Sequence, residues 1–117
     1  MSLIYRIKPK QTFVITLRQI ANYLGISPDR ILRWEKWPYL LWVNIKGRGG
    51  YFVSYRKLQQ WITACRHLIS RCRTIPALNA FWSALQKESG RYTAEGIYRL
   101  RSFWQQQQTH IHNYIKT

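Results

Sequence analysis

Apolar positions in the first third of the chain follow the spacing of a helix. Between Leu17 and Leu24 they fall on one helical face, with Thr16 placed as the N-cap and Gln19 three residues later completing a capping box. Gly25 follows, where a helix commonly ends in a left-handed turn that glycine adopts at little cost. The pattern predicts a first helix from Leu17 to about Leu24.

A second helix is predicted directly after this turn. Ser27 is suited to cap it, and Pro28 suits its first position, where a missing N–H does no harm. The helix is expected to end near Lys36, because the proline two residues later disfavours helix in the residue before it. Ala21 then lies where the two helices approach most closely, and Ile31 fills the gap between them. Two helices joined in this way indicate a helix-turn-helix, whose second helix enters the DNA major groove.

The middle of the chain predicts a hairpin and a third helix. Two β-rich runs within residues 40–53 flank the glycine-rich tip at 47–50, which is a strong hairpin signal. Ser54 is suited to cap a third helix, and its apolar residues at helical spacing are Leu58, Trp61, Ile62, Cys65, Ile69 and Cys72. This order of elements predicts a mainly α protein built on a winged helix-turn-helix.

The two ends of the chain extend this unit. We expect an N-terminal strand or basic arm at 1–13, with a short strand over Leu3–Ile7, the winged helix-turn-helix DNA-binding domain at 14–73, and two C-terminal helices at 74–117. Gly90 is expected to close the first of these helices, and Thr93 to cap the second. The last helix carries heptad-spaced rows, so it either pairs two chains or packs within one, and we favour packing within the chain. The rows are Ile97, Trp104 and Ile111, and Leu100, Gln107 and Tyr114.

The net charge of the chain narrows the range of functions to be expected. The chain has 19 Lys and Arg against four acids, a net charge of +15, which attracts polyanions such as nucleic acid. No apolar run approaches a membrane span and no secretory signal is present, so a cytoplasmic, nucleoid-associated protein is expected. Cys65 and Cys72 lie about 10.5 Å apart along a helix, too far to share one metal ion, and are expected to be buried. With few acids and no catalytic motif, we expect neither an enzyme nor a cofactor.

The central residues resemble a known family. The run from Ile26 to Lys36, followed by 42–62 with its Gly-Arg-Gly-Gly tip, is similar to the DNA-binding domain of MerR-type regulators and excisionases. Arg33 fits the excisionase branch better than the MerR branch, which usually has an Arg-Tyr-Tyr-Glu run in its second helix. The resemblance implies a role in recombination or in transcriptional regulation, with a recombinase or RNA polymerase as partner.

Candidate DNA contacts follow from the predicted fold. Arg33 is the best candidate for a base contact, because its planar fork matches the two acceptors of guanine in the major groove. The predicted recognition-helix residues are Ser27, Asp29, Arg30, Arg33 and Lys36. The predicted wing residues are Lys46, Arg48 and Gly49, and the predicted phosphate contacts are Arg18, Arg56 and Lys57.

Sequence-specific binding of double-stranded DNA is therefore the expected function, by a monomer or by a homodimer formed through the last helix. Two alternatives stay open. One is binding of RNA or single-stranded nucleic acid by stacking on Trp37, Tyr39 and Trp42. The other is a winged helix that binds protein instead of nucleic acid.

Overall fold

The computed structural model describes residues 2–116, and side chains as far as residue 114. Met1 and Thr117, the ends of the predicted terminal segments, lie outside the described residues. The fold is mainly helical, with one three-stranded antiparallel sheet between the helices. Its elements are α1 (Leu3–Ile7), α2 (Pro9–Thr12), α3 (Leu17–Leu24), β1 (Ile31–Lys36), β2 (Leu40–Ile45), β3 (Gly49–Ser54), α4 (Gln59–Ser70), α5 (Ile75–Lys87) and α6 (Ala94–Lys116).

Helix α3 has the bounds that the sequence predicts. The Thr16 hydroxyl accepts a hydrogen bond from the backbone N–H of Gln19 at 3.2 Å, and Gly25 ends the helix with φ +69°. Ala21 is fully buried. The Gln19 side chain does not return to the cap. It pairs with the amide of Gln60 in α4, whose Nε2 donates to the Gln19 Oε1 at 2.6 Å, and so ties α3 to α4.

The predicted second helix is wrong, because these residues form a strand. Only a single 3-10 turn, Pro28–Arg30, follows Gly25, and the chain then enters β1. Ser27 precedes this turn without a side-chain capping bond. The edge of β2 decides the outcome, since residues 31–36 gain backbone hydrogen bonds by pairing with it.

The predicted N-terminal strand is also wrong. Residues Leu3–Ile7 form the short helix α1, which turns Leu3, Ile4 and Ile7 into the core. Lys8 then takes a left-handed conformation, with φ 54°, and Pro9 starts α2. Helical spacing allows all three apolar side chains to be buried on one side, which an alternating strand would not.

The predicted hairpin is confirmed. β2 lies in the centre of the sheet, paired with β1 on one side and β3 on the other. The strands β2 and β3 are joined by residues 46–48, and left-handed conformations at Gly47 and Gly49 close the turn. Along β2 every second side chain is buried, namely Leu41, Val43 and Ile45. One side of the sheet therefore faces the core, and the other faces solvent.

The C-terminal helices complete the same core. α6 packs against α4 and α5, and its row residues Leu100 and Ile111 are buried within the chain. The Thr93 hydroxyl caps α6 by accepting from the Gly96 N–H at 2.9 Å, as predicted. α5 ends at Lys87, three residues earlier than Gly90 would place it. No helix in the described part of the chain is both long and apolar enough to cross a membrane.

Both cysteines are buried free thiols, as expected. Burial raises the pKa of the Cys65 thiol to about 12, and burial also raises the pKa of Cys72. Both thiols are therefore kept protonated and unreactive. Residues 2–116 contain no group of three or more His, Cys, Asp or Glu side chains that could hold a metal ion.

Candidate nucleic-acid interface

The solvent-facing side of the sheet, here called the outer face, carries a mixed polar and aromatic surface. In the register, Arg33 pairs with Asn44, and Asn44 pairs with Gly50. In the next row Glu35 pairs with Trp42, and Trp42 pairs with Phe52. Directly paired residues project to the same side of a sheet, so these side chains form one surface.

Three aromatic rings cover the middle of the outer face. Trp37, in the turn between β1 and β2, stacks parallel to Trp42 with ring centroids 6.3 Å apart and an interplanar angle of 6°. Trp37 also lies 5.4 Å from the Phe52 ring, which is 56% exposed. We call Trp37, Trp42 and Phe52 the aromatic cluster. Tyr39, predicted to join such a surface, instead pairs its hydroxyl with that of Tyr5 at 3.0 Å.

Glu35 connects Arg33 to the aromatic cluster. Its carboxylate accepts a hydrogen bond from the Trp37 indole N–H at 3.0 Å and forms an ion pair with the Arg33 guanidinium at 2.7 Å. The Trp37 hydrogen bond, with help from the Arg33 charge, lowers the pKa of Glu35. The Arg33 side chain is nevertheless 70% exposed, so it remains open to a further anion.

Cations gather where the hairpin turns. The Arg30 guanidinium donates to the Lys46 carbonyl at 3.2 Å, and the Lys46 N–H donates to the Arg30 carbonyl at 2.7 Å. Arg48 is exposed at the tip itself, and Arg33 lies on β1, three residues after Arg30. These four side chains form the basic end of the sheet: Arg30, Arg33, Lys46 and Arg48. All four are exposed.

Other predicted recognition residues do not join this surface as a helix face. Ser27 and Asp29 are exposed before and within the 3-10 turn. Lys36 is directed to the core side of β1, where its ammonium donates to the Phe13 carbonyl at 2.9 Å. Within β1, Arg33 and Lys36 face opposite sides of the sheet, because alternate side chains of a strand project to opposite sides. The predicted DNA contact at Lys36 does not fit this placement.

The predicted phosphate contacts are dispersed. Arg56 is 4% exposed and forms an ion pair with Glu88, so it is not available to DNA. Lys57 is exposed, but it follows β3 at the end of the sheet away from the hairpin tip. Arg18 is exposed on the first turn of α3. Of the predicted wing residues, Lys46 and Arg48 belong to the basic end, and Gly49 supplies the turn.

Sequence reasoning missed Asn44 and Phe52. Asn44 lies directly opposite Arg33, and Phe52 directly opposite Trp42. Asn44 is the one polar residue within 41–45 and stands between Val43 and Ile45, which is a signal that could have found it.

Two of the four acids, Glu35 and Glu88, are each paired with an arginine. A scan against family models, a search of curated proteins and a search of solved structures each return no significant match. The arrangement of charges and rings on the sheet is therefore the basis for inferring function.

Proposed function

We propose that this chain binds double-stranded DNA through the basic end of its sheet. The single observation that carries the proposal is that four exposed cations lie at one end of the sheet: Arg30, Lys46 and Arg48 at the turn between β2 and β3, and Arg33 on the neighbouring strand. β-strands can enter the major groove of B-DNA, which is about 12 Å wide, so the reading element is proposed to be the basic end of the sheet, with β1 and β2, in place of a helix.

Arg33 and Asn44 are the proposed base readers. They are direct neighbours on the outer face, and the row that contains Ile45 and Gly49 separates them from the hairpin turn. Arginine forms bidentate hydrogen bonds with guanine and asparagine with adenine, each worth about 1–3 kcal/mol of discrimination. Lys46 and Arg48, at the tip, and Arg30 beside it are the proposed phosphate contacts. These contacts position the hairpin without reading sequence.

The wider biological role follows from the resemblance to MerR-type regulators and excisionases. A β-hairpin lies between α3 and α4, but a strand replaces the second helix of that motif. We propose an architectural role in recombination or a role in transcriptional regulation, with a recombinase or RNA polymerase as partner. The burial of Leu100 and Ile111 within one chain favours a monomer, which mass measurement across micromolar concentrations would test.

The test is equilibrium binding to random-sequence duplex and single-stranded DNA over a range of salt concentrations. Wild type is compared with Arg33→Ala and Arg48→Ala, and with Arg73→Ala, which removes an exposed arginine outside the sheet. Log affinity falls with log salt with a slope of about −0.9 per phosphate contact. The proposal predicts tighter duplex than single-strand binding, and a slope that becomes shallower by about one in Arg48→Ala. Arg73→Ala should leave the slope unchanged, and equal effects of all three variants would contradict the proposal.

A second candidate rests on the aromatic cluster. Exposed rings beside cations are typical of surfaces on which unpaired bases stack, each worth about 1–3 kcal/mol. On this alternative single strands bind more tightly than duplex, and Trp42→Ala weakens binding more than Arg33→Ala. The same titration therefore separates the two. A chain that binds neither nucleic acid would favour a role in protein interaction.

A further inference from the structure

A cavity of about 770 Å³ lies away from the sheet, between α1 and α5 and reaching the turn before α6. None of its lining residues belongs to the basic end or to the aromatic cluster. Small-molecule sites in proteins commonly have volumes of about 300–1,000 Å³. The size of this cavity is therefore suited to a compact organic ligand.

The rim of the cavity is cationic. Arg6, Lys87 and Arg91 line it and are exposed to solvent. Glu88 is the acid in the lining, but its carboxylate is already paired with Arg56 and accepts a hydrogen bond from the Tyr92 hydroxyl at 3.2 Å. The pair of Glu88 and Arg56 is neutral, so the three rim cations leave the cavity with a net positive charge. Such a cavity favours an anion.

The floor of the cavity is apolar. Phe81, buried, and Ala80 line it from α5. The Arg6 guanidinium lies over the Phe81 ring, 5.9 Å from its centroid, and this contact holds the arginine at the border between rim and floor. A ligand with both an apolar body and a charged group matches this division.

We propose that this cavity binds a small organic phosphate. The phosphate groups contact Arg6, Lys87 and Arg91, and the apolar body lies against the side of α5 that carries Ala80. Guanidinium groups form strong bidentate hydrogen bonds with phosphate oxygens, whereas a lysine supplies a point charge. The proposal is independent of DNA binding, because it uses different residues.

The test measures binding of ATP, tripolyphosphate and adenosine to the full chain by calorimetry at physiological salt. Three variants are compared with wild type. Lys87→Ala/Arg91→Ala removes rim charge, and Ala80→Leu adds bulk to the cavity floor without changing charge. The control, Lys10→Ala/Arg73→Ala, removes equal charge elsewhere. We expect ATP to bind more tightly than tripolyphosphate, and adenosine to show no binding. The rim and filling variants should each weaken ATP binding at least tenfold, and the control variant less than twofold. Circular dichroism checks that each variant is folded.

Several results would overturn the proposal. Equal loss of ATP affinity in the rim and control variants would mean diffuse attraction to a chain of charge +15. Unchanged affinity in Ala80→Leu would place ATP outside the cavity, and equal affinities for tripolyphosphate and ATP would remove the role of the apolar floor. If the rim variant lost duplex DNA affinity and kept ATP affinity, these cations would belong to a DNA surface instead.

Discussion

Arg56 and Glu88 form a buried ion pair that joins the segment after β3 to the end of α5. The Arg56 guanidinium also lies 4.9 Å from the centroid of the Trp61 ring, and Glu88 accepts from the Tyr92 hydroxyl. The indole N–H of Trp61 donates to the same Tyr92 oxygen at 2.8 Å. A closed polar network therefore links the sheet to the C-terminal helices across one shared core.

Removing one partner of this ion pair should strongly destabilise the fold. Glu88→Gln leaves the Arg56 charge buried without its carboxylate, which costs about 3–5 kcal/mol of unfolding free energy. Urea denaturation measures this loss of unfolding free energy. The matched control is Glu35→Gln, whose ion pair with Arg33 is exposed and is worth less than about 1 kcal/mol.

The double variant Arg56→Met/Glu88→Leu sharpens this prediction. It removes both charges and fills the space with apolar side chains, so it should recover most of the stability that Glu88→Gln loses. Similar small losses in Glu88→Gln and Glu35→Gln would contradict a desolvated pair at the core.

The free energy of unfolding should fall as the pH becomes alkaline. Burial raises the pKa of Tyr55 to about 12 from an ordinary 10.0, and that of the Cys65 thiol to about 12 from an ordinary 9.0. Both groups are protonated in the folded chain while they ionise in the unfolded chain. Their contribution is therefore complete below pH 9 and is lost as the pH rises from 9 to about 12.

The measurement is the urea midpoint as a function of pH, which should stay level from pH 7 to 9 and then decline. Tyr55→Phe removes one of the ionising groups, so its decline above pH 10 should be shallower than that of wild type. An identical slope in the two proteins would show that Tyr55 is not protected from ionisation.

Gly50 is required by the position of the Trp42 indole. A Cβ on Gly50 would lie 2.9 Å from the Trp42 Nε1, closer than real contacts allow. Gly50→Ala should therefore displace the ring and destabilise the fold by about 1–3 kcal/mol. The Trp42 indole N–H resonance and the melting temperature report the change. Gly90→Ala is the control, because nothing lies within 4 Å of its added carbon, and an unmoved Trp42 resonance in Gly50→Ala would refute the prediction.

Glu35→Gln should bind duplex DNA more tightly than wild type. The substitution frees Arg33 from its ion pair and removes a negative charge next to the basic end. We expect a gain of about two- to fivefold, equivalent to about 0.5–1 kcal/mol, measured by fluorescence anisotropy at low salt. In an Arg33→Ala background the gain should shrink, and Glu95→Gln, an exposed acid on α6, should produce none. A gain that survives without Arg33 would argue against this mechanism.

Local signals in the sequence predicted much of the fold. Thr16 and Gly25 set the two ends of α3, the glycines at 47 and 49 marked the hairpin turn, and Thr93 marked the start of α6. Each of these is an interaction within a few residues of chain, which is why the sequence alone reveals it.

The strand at 31–36 could not be predicted from local signals of this kind. Ile31 and Trp34 lie three residues apart, which fits one face of a helix as well as it fits a strand. A register shift between Ile31 and Arg33 breaks the alternation that marks a strand, leaving both Leu32 and Arg33 exposed. The pairing partner that settles the structure is β2, a separate segment of chain.

The sequence predicted the cations of the candidate site but not the shape of the surface that carries them. Arg30 and Arg33 were predicted as residues of a recognition helix that does not form, and Lys46 and Arg48 were predicted from the glycine-rich tip. Arg56 was misplaced because its partner, Glu88, lies 32 residues away and no local pattern indicates the pair. Such long-range pairing is decided by the packing of the whole core.

The most direct test of the central claim is amide chemical-shift mapping of the labelled chain during titration with a short duplex DNA. The account predicts shifts concentrated on residues 30–33 and 44–50, with small shifts along the exposed side of α6 near Tyr98. Shifts concentrated on α5 and α6, or spread evenly over the cationic surface, would contradict DNA binding by the basic end of the sheet.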